Sequence, residues 1–432
     1  MDRLSVRDRT ADAKPSFWQN RTVRGFLHVL GGTATTTALQ GLMFLLLARG
    51  LGPTEFGRIA TANSVTALLM PFSGFGFANV MIMRGTRDPS VLPLYFGNAL
   101  VMALCSGSLL VAVSGLAAGT WLSTELPIAL MLVIAVGELL AAKVIDICWH
   151  VFIAREQLHF TSRVMGFHSA SRLTFAAGYV WLNETPTAAG WAWWLLACNT
   201  LVSALILSFT MKLVGPLRTS FAVARSELGM GGSFAIGISA KGFYTDADKM
   251  FLARFAGAEV VGHYTVAFRV IQIALAPIRA LSLSLQGRLF RAGEKGIKSS
   301  LRVTMKVLVP LSAAALVLAI GFYFTAPLLT IFAGEKYTGS VEILQTLCLL
   351  PLLLAAQSLM TDTLASAGYQ RFAAIALTLA AVLVCVLCMT LIPTLGWRGA
   401  AFASYASQGM LIVTTIATIV RLTRTRPAPV DP

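Results

Sequence analysis

The chain has 432 residues, of which 56% are hydrophobic and 12% charged, and a formal net charge of +15. A soluble domain carries about 25% charged residues, so this composition calls for an apolar solvent and leaves no stretch for a soluble domain. The basic excess would also suit a nucleic acid, but Lys and Arg accumulate in the cytoplasmic loops of membrane chains without any polyanionic partner, and none is expected here.

Residues 1–24 are polar and basic. The apolar run that follows is too long and too Thr-rich for a cleaved signal peptide, so this segment is expected to remain as a cytoplasmic N-terminus. From there, runs of transmembrane length recur, each ended by Gly, Pro or a charge cluster. They predict helices at about 25–48, 58–83, 95–119, 127–152, 164–183 and 189–211, then at about 229–255, 260–286, 304–332, 342–367, 372–393 and 398–420. The predicted organisation is an N-lobe at 25–213, a cytoplasmic linker at 214–228, a C-lobe at 229–420 and a cytoplasmic tail at 421–432. Six cysteines lie in or beside apolar runs, with no disulfide framework and no metal-ligand spacing. Neither metal nor cofactor is expected.

Alternating sides from a cytoplasmic N-terminus, the inside segments hold 23 Lys and Arg and the outside connections five: Arg49, Arg58, Arg254, Lys336 and Arg398. That bias supports both the helix count and the orientation, and it puts both termini in the cytoplasm. The outside loops are about ten residues or fewer, which places any activity in the helices or in a cavity between them.

An internal repeat is visible. Residues 48–62 align with 253–267 at an offset of 205, matching at Ala48/Ala253, Arg49/Arg254, Gly52/Gly257, Gly57/Gly262 and Ala62/Ala267. Pro186 to Trp191 resembles Pro393 to Trp397 at nearly the same offset. An even number of helices per half makes this a parallel repeat of six plus six, with the substrate between the halves. The fold class is therefore an all-α polytopic membrane protein whose two six-helix lobes surround a central cavity.

A charge at bilayer depth costs about 2.5–3.5 kcal/mol on insertion scales and so faces a bundle interior or a cavity. The span residues of this kind are Lys143, Arg172, Lys241, Lys249, Arg269 and Arg279, with Glu138, Asp146, Asp246, Asp248 and Asp362. Helix seven sets Lys241, Tyr244, Thr245 and Asp248 on one face, which is expected to look into the cavity. Helix eight spaces Gln272, Arg279 and Gln286 by seven, helix four carries Lys143, Asp146 and His150, and helix five carries His168 and Arg172. Thr33, Thr36, Thr37 and Gln40 share a face of helix one, where hydroxyls serve either sugar contacts or their own backbone. Lys143 with Asp146, and Lys241 with Asp248, also read as structural pairs, whereas Arg155, Arg163, Asp246 and Lys249 read as interfacial side chains that snorkel to water. Arg269 and Arg279 have no acid three or four positions away on their own helix, so a distant acid or an anionic ligand must neutralise them. The planar fork of Arg suits a phosphate.

Four stretches resemble a known family, the polysaccharide or O-antigen flippases of the multidrug/oligosaccharidyl-lipid/polysaccharide transporter superfamily. They are Leu51 to Gly57 (LGPTEFG), Asp248 to Arg269, Phe332 to Tyr337 (FAGEKY) and Ile392 to Ala401 (IPTLGWRGAA). The resemblance spans helix one to helix twelve. It implies alternating access, no enzymatic activity, and an undecaprenyl-diphosphate-linked oligosaccharide carried across a bacterial inner membrane, with a polysaccharide polymerase and export machinery as further partners. On that reading Arg269, Arg279, Lys241, Arg172 and Lys143 would hold the diphosphate, and Thr36, Gln40, Tyr244 and Gln272 would meet the sugar. Asp248 or Asp146 would carry a coupling ion, although an acid already paired to Lys has little reason to titrate near neutral pH. Lipid II flippases of the superfamily have two further helices, and none follows helix twelve here. A multidrug exporter of the same superfamily, a membrane polymerase or ligase, and a non-transporting component of an export complex are the competing readings.

Overall fold

The computed structural model describes residues 21–122, 125–275, 285 and 288–424, with the backbone alone for 21–30, 32, 33, 240, 241 and 243–245. The described residues are nearly all helical and contain no strand. In chain order the helices are α1 (Arg21–Leu69), α2 (Phe77–Arg87), α3 (Leu92–Thr120), α4 (Ile128–Ala135), α5 (Lys143–Ala154), α6 (Leu158–Leu182), α7 (Ala188–Val214), α8 (Phe221–Phe255) and α9 (Ala258–Ala274). Then follow α10 (Ile297–Thr325), α11 (Leu329–Ala333), α12 (Gly339–Leu347), α13 (Leu350–Ser366), α14 (Gln370–Leu395) and α15 (Trp397–Arg424).

As a straight rod, the 49 residues of α1 would extend about 74 Å, far beyond one crossing. Gly52, at φ 77° and ψ 171°, breaks the helix before Pro53. Phe44 and Phe56 flank the break with their ring centroids 4.8 Å apart, where twelve residues of unbroken helix would separate them by about 18 Å. Residues 21–51 and 53–69 are thus two antiparallel passages. The second continues into α2 past a turn at 70–76, α4 and α5 join through a π-helix at Val136–Ala142, and α12 continues into α13. The described residues therefore make twelve passages, in the order the apolar runs predict.

The helices outlast the apolar runs at several ends. The seventh begins at Phe221, capped by the Ser220 hydroxyl, where hydropathy starts it at about 229, so half of the expected linker is helix. Hydropathy reports where a helix leaves hydrocarbon, whereas the backbone ladder continues until a cap stops it. This first stretch of α8 is tied to the N-terminal repeat: Glu227, buried, accepts from Arg84 at 2.9 Å and from the Tyr95 hydroxyl at 3.0 Å, and Ser239 donates to the Leu68 carbonyl.

Eight of the described helical stretches are long and apolar enough to cross a membrane. Among those that are not, α6, α8 and α9 carry Arg172, Lys249 and Arg269. Elsewhere the outer surface is hydrocarbon-like: Leu104, Leu109 and Leu116 of α3 and Val309, Val317 and Ile320 of α10 are exposed, as lipid-facing side chains are.

The repeat is symmetric in detail at one end of the bundle, which we call the corner end. Gly257, at φ 91° and ψ 161°, turns the chain between α8 and α9 much as Gly52 turns it within α1. Both lie in a region open essentially to glycine. The two corners then meet: a Cβ on Gly57 would run into the Ala258 carbonyl, and one on Gly262 would run into the Pro53 carbonyl. Position 53 corresponds to 258 and 57 to 262, so each repeat makes on the other the contact it receives. Around this seam, the Tyr337 hydroxyl donates to the Ala48 carbonyl at 3.0 Å, the Glu125 carboxylate caps the Ala258 amide at 3.1 Å, and Glu55 caps the Ala188 amide at 2.6 Å.

Candidate functional site

Between the repeats lies a cavity of about 360 Å³. Its walls come from both halves of α1, the α4–α5 segment, α6, α7, α8 and α9, and its polar lining includes Gln40, Asn63, Ser64, Glu138, Arg172, Asp246, Lys249, Thr265, Arg269 and Gln272. Several of these are repeat equivalents at the 205 offset: Phe44 with Lys249, Ala60 with Thr265, Asn63 with Phe268, Ser64 with Arg269 and Ala67 with Gln272.

The π-helix positions Glu138. A π-turn inserts a residue and frees a carbonyl from the regular ladder, and neighbouring side chains take the carbonyls here. The Asn199 amide, fully buried, donates to the Gly137 carbonyl at 3.0 Å while its oxygen meets His168 Nε2 at 3.1 Å, and Ser73 donates to the Leu139 carbonyl at 2.6 Å. Glu138 then faces α6 and accepts from Arg172 at 2.6 Å. On α8, Lys249 pairs with Asp246 and its ammonium sits 4.7 Å from the Phe268 ring centroid. The Arg269 guanidinium lies 5.5 Å from the Phe44 ring centroid, so a cation of the second repeat rests on an aromatic face of the first.

Of the residues expected to meet the substrate, the structure brings Gln40, Arg172, Arg269 and Gln272 into this one cavity. Lys143 and Asp146 are not in its lining. They pair at 2.7 Å in a separate cluster with Trp149, which donates to Asp146 at 2.7 Å, and with His150. The structural-pair reading is the one their geometry matches. Thr36 is buried outside the lining, and its hydroxyl finds no hydrogen-bond partner among the described residues.

Of the face expected of helix seven, Asp248 alone has a described side chain, and it does not line the cavity. Asp248 is buried and accepts from the Tyr264 hydroxyl at 2.9 Å and from the Lys249 amide at 2.8 Å, whereas Asp246 and Lys249, expected at the membrane interface, line the cavity. At about 100° per residue, position 249 lies about 100° and position 246 about 160° from position 248 around the helix, while 246 and 249 are only about 60° apart, and packing against α9 decides which flank faces the cavity. The side chains of Lys241 and Tyr244, and Arg279 altogether, lie outside the described residues. The sequence reading also left Glu138 without a role, although its pairing with Arg172 could not be found by spacing because 34 residues separate them. The Asp246–Lys249 pair did carry a signal, since i, i+3 spacing marks an ion pair on one helix face.

The lining thus carries three cations and two acids. With Phe44, Phe56, Phe268 and Trp191 around them, such a site can bind an anion by exchanging carboxylate partners for ligand oxygens, with charge-assisted bonds from Arg and Lys.

Residues 22–283 match the model of a family described as polysaccharide biosynthesis protein. No curated protein matches the chain. Among solved structures, the inward-facing conformation of a multidrug resistance MATE family transporter of the MOP superfamily is 15% identical, with a TM-score of 0.70, covering 90% of this chain and 96% of that one. The outward-facing conformation of such a transporter is 15% identical, with a TM-score of 0.61, covering 94% and 96%. A MOP superfamily transporter from Pyrococcus furiosus, described as having a binding pocket of reverse polarity that suggests a different function, is 14% identical, with a TM-score of 0.61, covering 93% and 97%.

Proposed function

Because this chain belongs to the polysaccharide biosynthesis protein family, within the multidrug/oligosaccharidyl-lipid/polysaccharide transporter superfamily, we propose that it flips a polyprenyl-diphosphate-linked oligosaccharide across a bacterial inner membrane. The observation that carries the reading is the convergence of Arg172, Lys249 and Arg269 on one cavity between the repeats. A diphosphate needs several cations at once, and the sugar finds hydrogen-bond partners in Gln40, Asn63, Ser64 and Gln272. The polyprenyl chain stays in the lipid between the lobes.

The excess of Lys and Arg at the opposite ends of the helices supports a corner end that faces outside, where Gly57 and Gly262 make their reciprocal contact. Substrate therefore enters from the cytoplasmic side. Diphosphate oxygens replace Glu138 on Arg172 and Asp246 on Lys249, and opening of the seam delivers the sugar outside. Asp248 and Asp146, held in their own networks, serve the fold rather than the cargo in this scheme.

A multidrug exporter is the second reading, and Glu138, Asp246 and the cavity's aromatic rings favour it, since a lipophilic cation would suit them. One experiment separates the two. Proteoliposomes containing the full chain are loaded with a radiolabelled polyprenyl-diphosphate oligosaccharide or with a lipophilic cation, and native protein is compared with Arg269→Ala after its folding is verified. Flipping of the glycolipid, lost in Arg269→Ala, supports the flippase; transport of the cation alone, undiminished by Arg269→Ala, supports the exporter.

A further inference from the structure

A second concavity, of about 620 Å³, lies between the beginning of α10 and the end of α15 and is lined by Lys298, Leu301, Arg302, Met305, Lys306 and Thr423. It shares no residue with the central cavity. Lys298, Arg302 and Lys306 recur every four residues, so they lie within about 80° of one another on a single helix face. None of the three forms an ion pair among the described residues. Arg424, in the last turn of α15, adds a fourth cation to this end of the bundle.

The same face of α10 changes character as it continues. Val309, Leu316 and Ile320 fall within the arc occupied by the three cations and Met305 lies about 20° beyond its edge, and all four side chains are exposed. A basic patch that gives way, along one helix face, to a lipid-facing apolar ladder is the arrangement that a phospholipid presents in reverse, with charge at the headgroup and hydrocarbon beyond it. The groove supplies a concavity for the headgroup, and Thr423 supplies a hydroxyl beside it.

We propose that this groove holds an anionic phospholipid, its phosphate on Lys298, Arg302 and Lys306 and its acyl chains along Met305, Val309 and Leu316. Charge complementarity selects an acidic headgroup over a zwitterionic one. Separation from the central cavity selects a resident lipid over the transported glycolipid, because a cargo captured on the outer face of α10 would be held off its path. The site does not depend on what the central cavity carries.

The test uses the full chain in nanodiscs of phosphatidylcholine doped with phosphatidylglycerol, followed by native mass spectrometry of retained lipid. Native protein is compared with the triple variant Lys298→Gln, Arg302→Gln, Lys306→Gln and with a control double variant, Arg87→Gln, Arg225→Gln, at the same end of the bundle. Retention of phosphatidylglycerol is expected to fall on the order of 100-fold in the triple variant, at about 1 kcal/mol for each cation removed, and to persist in the control. A photoactivatable phosphatidylglycerol is expected to label the peptide containing Met305 and Val309 in native protein. Retention by the triple variant, equal loss in the control, labelling elsewhere, or displacement by a polyprenyl diphosphate at equal concentration would each overturn the proposal.

Discussion

Residues 44–67 and 249–272 occupy equivalent places in the two repeats, and both border the cavity, yet they bring different chemistry to it. The first segment presents Phe44, Asn63, Ser64 and Ala67 where the second presents Lys249, Phe268, Arg269 and Gln272. A few residues away, at the corners, the two repeats are nearly interchangeable: Gly52 and Gly257 share one backbone conformation, and Gly57 and Gly262 make reciprocal contacts. Close backbone approach tolerates no side chain, so the corner can hardly vary. A cavity wall tolerates many side chains, so charge could collect in one of these two equivalent segments and not in the other. On the proposed function, the repeat would supply the moving frame and its departures from symmetry the binding chemistry.

The largest expected effect tests whether the charge or its position matters. Arg269→Ser should slow glycolipid flipping by roughly 10- to 100-fold, the loss of an interaction of about 1.5–3 kcal/mol with a charged group. Adding Ser64→Arg returns a guanidinium to the cavity from the other repeat and should recover part of the rate, measured as initial flipping in proteoliposomes. A folded double variant no faster than Arg269→Ser would show that the asymmetry is positional and not a matter of net charge.

Next in size is the seam. Gly57→Ala or Gly262→Ala should overpack it by about 1–3 kcal/mol and shift the protein toward the state open at the corner end, read as a longer spin-label distance across that end. Since both glycines belong to one contact, combining the two should give less than the sum of the single effects. Full additivity would mean that the two contacts are independent and would dissolve the reciprocity.

Asn199→Ala tests the support behind Glu138 in the first repeat. It leaves the Gly137 carbonyl and His168 without the Asn199 amide and should lower stability in detergent by about 1–3 kcal/mol. The smallest effect is Tyr337→Phe, which removes the bond to the Ala48 carbonyl and should cost about 0.5–1.5 kcal/mol, with transport retained. Thermal unfolding checks both, and a larger loss for Tyr337→Phe than for Asn199→Ala would reverse the ranking of seam against support.

Much of this protein was legible before its structure. The twelve passages follow from apolar length because hydrocarbon thickness imposes it. The parallel repeat follows from a matched offset at two places, and Gly52, Gly57, Gly257 and Gly262 stood in that match before their backbone was seen. Arg172, Gln40, Gln272 and Arg269 were found because a polar group in a span must have a reason to be there. Asp248 was not separable from Asp246 by sequence, since both are acids in one span and it is the Tyr264 hydroxyl, packed from α9, that holds Asp248 outside the cavity lining.

The sequence by itself thus determined which segments enter the membrane, how many there are and how the halves repeat, because these depend on transfer energies and periodicities that act along the chain. Tertiary structure alone decided that Phe44 lies beneath Arg269, that Glu138 meets Arg172 across 34 residues, and that Lys143 and Asp146 turn to each other away from the cavity. Each of these is set by the rotation of one helix against another, and that rotation is chosen by side chains distant in sequence that compete for the same space.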